Sequence, residues 1–212
     1  FTTGMKHNQA TMDNIYQGDA LTKVSMKTAE TSLFAEYQSK VKKLNYTLGI
    51  GAMRTFYSQG DAKQEKYIFR PTLNLSYSLG KVFLRYNASL SGYAPSLSEL
   101  SDVEQPMDAY QVRRGNPNLK SVTYFTNRLS ASYRNKWMNV DMSARYSYDD
   151  KPIMEETLYE NGKFVRTYAN QKGLHRLMLQ TSFQLRPFKD YLSMSLTPYL
   201  NRYISQGNAY LH

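Results

Sequence analysis

Tyrosine and arginine carry most of the chemistry this sequence can offer. Between Tyr93 and Lys120 the chain sets Tyr93, Tyr110, Arg113 and Arg114 among acidic and amide groups. Aromatic faces and guanidinium forks together suit glycans, peptides or chelated nutrients, so these four residues form the candidate substrate-binding set. Glu99, Asp102, Glu104 and Asp108 share the stretch, but their spacing lacks the Asp-x-Asn-x-Asp-Gly form of a calcium loop; they read as a solvated loop. His7, His175 and His212 are too scattered to group as ligands. The absence of cysteine excludes disulfides, thiolate metal sites and cysteine nucleophiles. No metal site and no cofactor are expected. Catalytic spacings are missing too: there is no G-x-S-x-G, no H-E-x-x-H and no phosphate-cradling loop. His175 has no Ser or Asp arranged as a partner and reads as a wall histidine. The chain is expected not to be an enzyme.

The elements that must hold these residues are legible from period. Over most of the 212 residues apolar and polar side chains alternate with a period of two, the mark of half-buried strands. Tyr67, Phe69, Pro71, Leu73, Leu75, Tyr77 and Leu79 fall on one face, and Ile68, Arg70, Thr72, Asn74, Ser76 and Ser78 on the other. The pattern recurs with Leu84, Ala88 and Leu90 against Arg85, Asn87 and Ser89, and with Val140, Met142 and Ala144 against Asp141, Ser143 and Arg145. About nine strands result, near 1–8, 30–39, 44–57, 66–79, 82–93, 121–134, 137–149, 172–186 and 190–205. The fold class is all-β, an antiparallel up-and-down sheet.

Short turns are expected at Ser39 to Lys43, Gly80-Lys81, Asn135-Lys136 and Pro187 to Asp190. Long polar loops are expected at Gln9 to Thr28, Ser58 to Glu65, Ala94 to Lys120 and Asp149 to Lys172. Placing every long loop at one end is the habit of a transmembrane β-barrel with short periplasmic turns and long extracellular loops. Strands of about 10 to 14 residues fit a tilted crossing and exceed the ~5 to 6 of soluble sheets. Tyr46, Tyr77, Tyr133, Trp137, Phe188 and Tyr191 gather near the short turns, and Phe56, Tyr57, Tyr67, Phe69, Tyr93, Tyr146 and Tyr148 near the long loops. Two aromatic girdles around an aliphatic band match the two headgroup levels of a bilayer. A mean hydropathy of −0.61 and the lack of an apolar run of ~18 residues exclude a transmembrane helix and leave a barrel open.

A net charge of +10 invites a nucleic-acid reading. The arginines, however, are dispersed at one or two per strand: Arg70, Arg85, Arg128, Arg134, Arg145, Arg176, Arg186 and Arg202 are expected to line a polar interior. No nucleic-acid partner is expected.

The loop from Tyr93 reads Tyr-Ala-Pro-Ser-Leu-Ser-Glu-Leu and closes on Gly115-Asn116-Pro117-Asn118-Leu119-Lys120. These segments resemble the barrel of TonB-dependent outer-membrane receptors, especially the Bacteroidetes-type, SusC-like branch. The resemblance implies a receptor importing a glycan, peptide or chelated metal across the outer membrane of a Gram-negative bacterium. It also implies membrane lipid around the wall, a plug domain of the same protein, the TonB energy-coupling complex and, in the SusC-like branch, a surface lipoprotein lid. Residues 1–212 are expected to be a partial barrel domain, with no plug domain and no signal peptide within them. Gly115, Asn116, Pro117 and Leu119 form a structural loop motif: Gly115 is expected to permit a left-handed turn, and Asn116-Pro117 to make a rigid corner. A soluble β-sheet module that binds glycan or protein is the alternative, and a passive outer-membrane porin the second.

Overall fold

A computed structural model provides the structure and describes residues 1–17, 21–59, 62–186 and 192–205. The chain runs β1 (Thr2–Gln17), β2 (Leu21–Val41), β3 (Leu44–Gln59), β4 (Ala62–Phe69), β5 (Thr72–Leu79) and β6 (Val82–Tyr93). There follow the short helix α1 (Leu97–Leu100), β7 (Gln105–Pro106), β8 (Gln111–Arg113), β9 (Val122–Arg134) and β10 (Met138–Asp150). Next come β11 (Ile153–Glu160), β12 (Lys163–Asn170), β13 (Leu174–Leu185), β14 (Met194–Leu196) and β15 (Tyr199–Ser205).

Eleven of these strands form one antiparallel sheet, the wall, in which neighbours in the chain are neighbours in space. Four of the eleven are halves. β4 and β5 both pair β3 in a single register, and β14 and β15 both pair β13 in a single register. Pro71 and Pro198 interrupt them because proline brings no N–H to the ladder. The carbonyls on both sides still accept, from Leu90 N–H onto Pro71 at 3.1 Å and from Thr181 N–H onto Pro198 at 3.0 Å. With two pairs of halves joined, the eleven strands make nine crossings.

Register confirms the two faces. Leu73 stands opposite Leu48 and Ala88, Leu84 opposite Tyr77 and Ala131, and Val140 opposite Tyr133 and Phe183. Asn74 meets Asn87 through a 2.6 Å side-chain hydrogen bond on the other face. Three side chains fall on the face opposite to expectation. Tyr57 and Tyr93 belong to the polar face, where Tyr57 is buried and Tyr93 pairs its ring with Tyr124 at 6.3 Å. Arg202 stands opposite Leu177 and so joins the apolar face. Phe188, Tyr191 and the turn between 187 and 190 lie outside the described residues.

Two of the expected loops are strand. β1 and β2 pair continuously up to Gln17 and Leu21, and β3 and β4 up to Gln59 and Ala62, so within the expected loops residues 9–17, 21–28, 58–59 and 62–65 extend the wall instead of leaving it. On the apolar face the greasy band of Leu48, Ile50 and Ala52 ends at the rung of Thr31, Arg54 and Tyr67, where Glu65 accepts from Arg54 at 2.6 Å and from the Tyr67 hydroxyl. Beyond that rung the face that was apolar carries Lys27, Ser58, Lys63 and Glu65, and the apolar alternation that marks a strand in sequence stops while the ladder continues.

The other two loops fold together. β11, β12, β8 and β7 make a second, four-stranded sheet in that order, with β12 and β8 parallel. The β11–β12 hairpin turns at Asn161 and Gly162, with φ of 51° and 79°, the paired positive φ values of a tight hairpin turn. The hydrophobic core lies where these loops meet the polar face of the extended wall. Met26 and Tyr57 from the wall pack with Leu100 and Leu119 from the first loop, flanked by Met12, Leu97, Ile153 and Tyr168. Burying each of the two leucines contributes about 1.5–3 kcal/mol.

Candidate functional site

Local chemistry at Pro95 to Leu100 anchors the first loop. Ser96 caps α1: its hydroxyl accepts from the Glu99 N–H at 3.4 Å, and the Glu99 carboxylate accepts from the Ser96 N–H at 2.7 Å. This reciprocal capping box fixes the helix end, leaving the Glu99 and Ser101 carbonyls to accept from Asn116 N–H at 2.6 Å and Gly115 N–H at 2.5 Å. Gly115 is needed here for a different reason from the expected one. Positive φ is not involved; a Cβ at this residue would stand 2.4 Å from the Glu99 oxygen and 2.6 Å from that of Ser101.

Asn116 ties the two loops. Its amide donates to the Tyr168 carbonyl at 2.9 Å while its oxygen accepts from Asn118 N–H at 2.9 Å. Asn170 makes the reciprocal tie, accepting from Lys120 N–H at 2.7 Å and donating to the carbonyls of Lys120 and Lys151, both at 2.9 Å. Leu119 is 1% exposed beneath them. Gly115, Asn116, Pro117 and Leu119 lie together at the junction of the two loops.

The four candidate binding residues separate. Tyr93 stays on the wall. Tyr110, Arg113 and Arg114 ride on the second sheet, one side of which buries Val112 and Val165 while the other carries exposed Arg113 and Phe164 with half-buried Arg166 and Tyr168. Arg113 donates to the Tyr168 hydroxyl at 2.7 Å and lies 5.9 Å from the centre of that ring, an exposed and pre-oriented fork. Arg114 is occupied, bridging Glu104 at 3.1 Å and Glu160 at 2.7 Å. Tyr110 is 72% exposed, its N–H held by Asp108 at 2.7 Å. Tyr159 and Phe164 pair their rings at 5.2 Å and are exposed, and the Phe164 N–H donates to the Tyr110 carbonyl at 2.8 Å. Sequence reasoning missed these two; their signal was the aromatic pair flanking Asn161-Gly162, two residues to one side and two to the other.

Burial shifts acid–base groups nearby, Tyr57 the most. Tyr57, beyond the Arg54 rung and under the loops, has its phenol pushed up to about 12, chiefly by burial and further by the charge of Asp102. His175 sits on the apolar face between Tyr146, whose hydroxyl is 2.9 Å away, and the Tyr148 ring at 4.7 Å. Among the described residues no group of three or more His, Cys, Asp and Glu is placed to hold a metal.

Solved structures share this fold at low identity. The FrpB iron transporter of Neisseria meningitidis (F3-3 variant) matches 87% of this chain and 27% of its own, with 8% identity and a TM-score of 0.63. The copper transporter OprC matches 97% of this chain and 38% of its own, with 7% identity and a TM-score of 0.71. The siderophore receptor PirA of Pseudomonas aeruginosa matches 95% and 51%, with 14% identity and a TM-score of 0.56. The chain therefore spans between about a quarter and half the length of these structures. No curated protein matches it in sequence. The model of one family covers residues 2–211, and with the two-faced antiparallel wall that coverage identifies the chain as a member of the outer membrane protein beta-barrel family.

Proposed function

We propose that the chain is part of the barrel wall of a TonB-dependent receptor that imports a nutrient across the outer membrane, and that its second sheet offers Tyr110 and Arg113, beside Tyr159 and Phe164, to the substrate. The observation that carries the reading is the asymmetry of the two ends. One end turns in tight pairs such as Lys42-Lys43 and Gly80-Lys81; the other raises strands above the apolar band and gathers its loops into a sheet with an exposed aromatic and arginine face. In this reading lipid surrounds the apolar face, a plug domain of the same protein fills the interior, the TonB complex supplies energy, and a surface lipoprotein can close over the second sheet. Glycans, peptides and chelated metals all suit the exposed face; the iron, siderophore and copper proteins that share the fold make a metal chelate the first probe to use.

Spin labels placed singly in the native protein, reconstituted in liposomes, test the faces. Labels at Leu73, Leu84, Ala88 and Val140 should be relaxed by oxygen and shielded from a polar quencher, and labels at Asn74, Arg85, Asn87 and Asp141 should show the reverse. Equal water access on both faces would reject the barrel reading in favour of a soluble binding module.

A further inference from the structure

On the polar face of the wall, β6, β9 and β10 gather cations without matching carboxylates. Register sets Arg128 opposite Asn87 on one side and opposite Arg145 on the other. Two guanidinium groups therefore share a rung, the arrangement in which like charges oppose each other most directly. Arg85 stands opposite Ser130, one step along the same face from Arg128. Lys81, Arg85, Arg128 and Arg134 line a groove of about 760 Å³ whose remaining polar side chains are serines and Gln180, except for one carboxylate, Asp141. That carboxylate accepts from the Ser132 hydroxyl at 2.6 Å.

Four arginines elsewhere are matched: Arg54 with Glu65, Arg114 with Glu104 and Glu160, Arg166 with Glu155, and Arg176 with Asp149. Among the described residues Arg85, Arg128, Arg134 and Arg145 have no ion-pair partner; the neighbour of Arg85 is the Phe83 ring at 4.9 Å. The row from Arg128 to Arg134 follows the strand for roughly 20 Å at the usual rise per residue. That length exceeds what one small anion spans and suits a polymer carrying several acidic groups. Arginine forks hold carboxylates in paired hydrogen bonds.

We propose that this groove, with the Arg145 end of the rung beside it, seats an acidic polypeptide segment laid across β6, β9 and β10, with Arg85, Arg128 and Arg145 as its main carboxylate contacts and Arg134 and Lys81 extending the row. The proposal rests on the reading of this face as the interior of the wall. It adds the chemistry of what lies against that interior: a stretch rich in Asp and Glu.

A benzophenone amino acid introduced singly at Ser130, in the groove, and at Leu129, on the opposite face of the same strand, tests it in outer membranes containing the native protein. Irradiation followed by peptide mass spectrometry should join Ser130 to an Asp- and Glu-rich peptide and Leu129 to lipid. Arg128→Gln with Arg145→Gln should lower the Ser130 peptide yield at least several-fold, while Arg128→Lys with Arg145→Lys should keep most of it; the Leu129 lipid adduct reports assembly in each variant. Lipid at both residues would overturn the interior reading itself. Lipid at Leu129 with Ser130 joined to no peptide, to a peptide without acidic residues, or with a yield indifferent to the glutamine changes, would overturn the acidic segment alone.

Discussion

Arg113 and Arg114 are neighbours with opposite duties. Arg114 is held between two glutamates and ties the second sheet, whereas the exposed fork of Arg113 is braced by Tyr168 and in the proposed reading meets the ligand. Replacing Tyr110 and Arg113 together by Ala in the native protein should weaken binding of a ferric siderophore by at least about tenfold if each contact is worth ~1 kcal/mol or more. Barrel assembly, read as heat-modifiable gel mobility, should be unchanged; unaltered affinity in an assembled variant would move recognition away from this sheet. Tyr57 gives a second prediction. Its phenol is neutral in the fold up to about pH 12, against roughly 10 for a free tyrosine. A raised folded value means that the stabilisation is complete below about pH 10 and lost as pH climbs through 12. Phenolate absorbance of the native protein minus that of Tyr57→Phe should therefore appear near pH 12, with the loops loosening in the same interval. At this scale the restrictions of Asn116 and Pro117 were legible because they are local. The reason for Gly115 was not, since the atoms it must avoid belong to Glu99 and Ser101, more than ten residues away in the chain.

Strands declared themselves in sequence only where they have two different surroundings. Leu73 to Leu79 alternate because one face is apolar and the other polar, but Gln9 to Gln17 are strand with nothing in their side chains to show it, because hydrogen bonding of the backbone leaves no mark on composition. The β11–β12 hairpin was the exception among the loops, since Asn161-Gly162 demands a specific turn. Valine at Gly162 would force a β-branched residue to a φ of 79°, costing at least ~1–2 kcal/mol. Hydrogen exchange should then quicken first at Phe164 and Val165, while the amides around Leu129 in the wall keep their protection. Equal loss in both would show that the hairpin and wall open as one unit.

For the molecule as a whole, the nine crossings were countable from period and turns. What period could not reveal was that two loops, separated by the whole of β9 and β10, share a sheet. Parallel pairing of Gln111 to Arg113 with Phe164 to Arg166 has no signature in either segment. Energy coupling is what separates the proposed receptor from a porin. Uptake of a ferric siderophore by cells carrying the native protein should stop when the proton gradient is dissipated; uptake that persists would identify a passive pore.

The parallel pairing of β8 with β12 bears on the order in which the chain acquires its structure. Its partners lie about fifty residues apart, and the segment between them contains two complete wall strands. Closing so long a loop is entropically costly unless the intervening chain has already been shortened by folding. Once β9 and β10 have paired as a hairpin, the bases of the two loops stand side by side and the remaining search is small. The second sheet should therefore form after that hairpin, and protease resistance between Ala94 and Lys120 should appear only once β9 and β10 have paired; resistance that precedes their pairing would reverse this order.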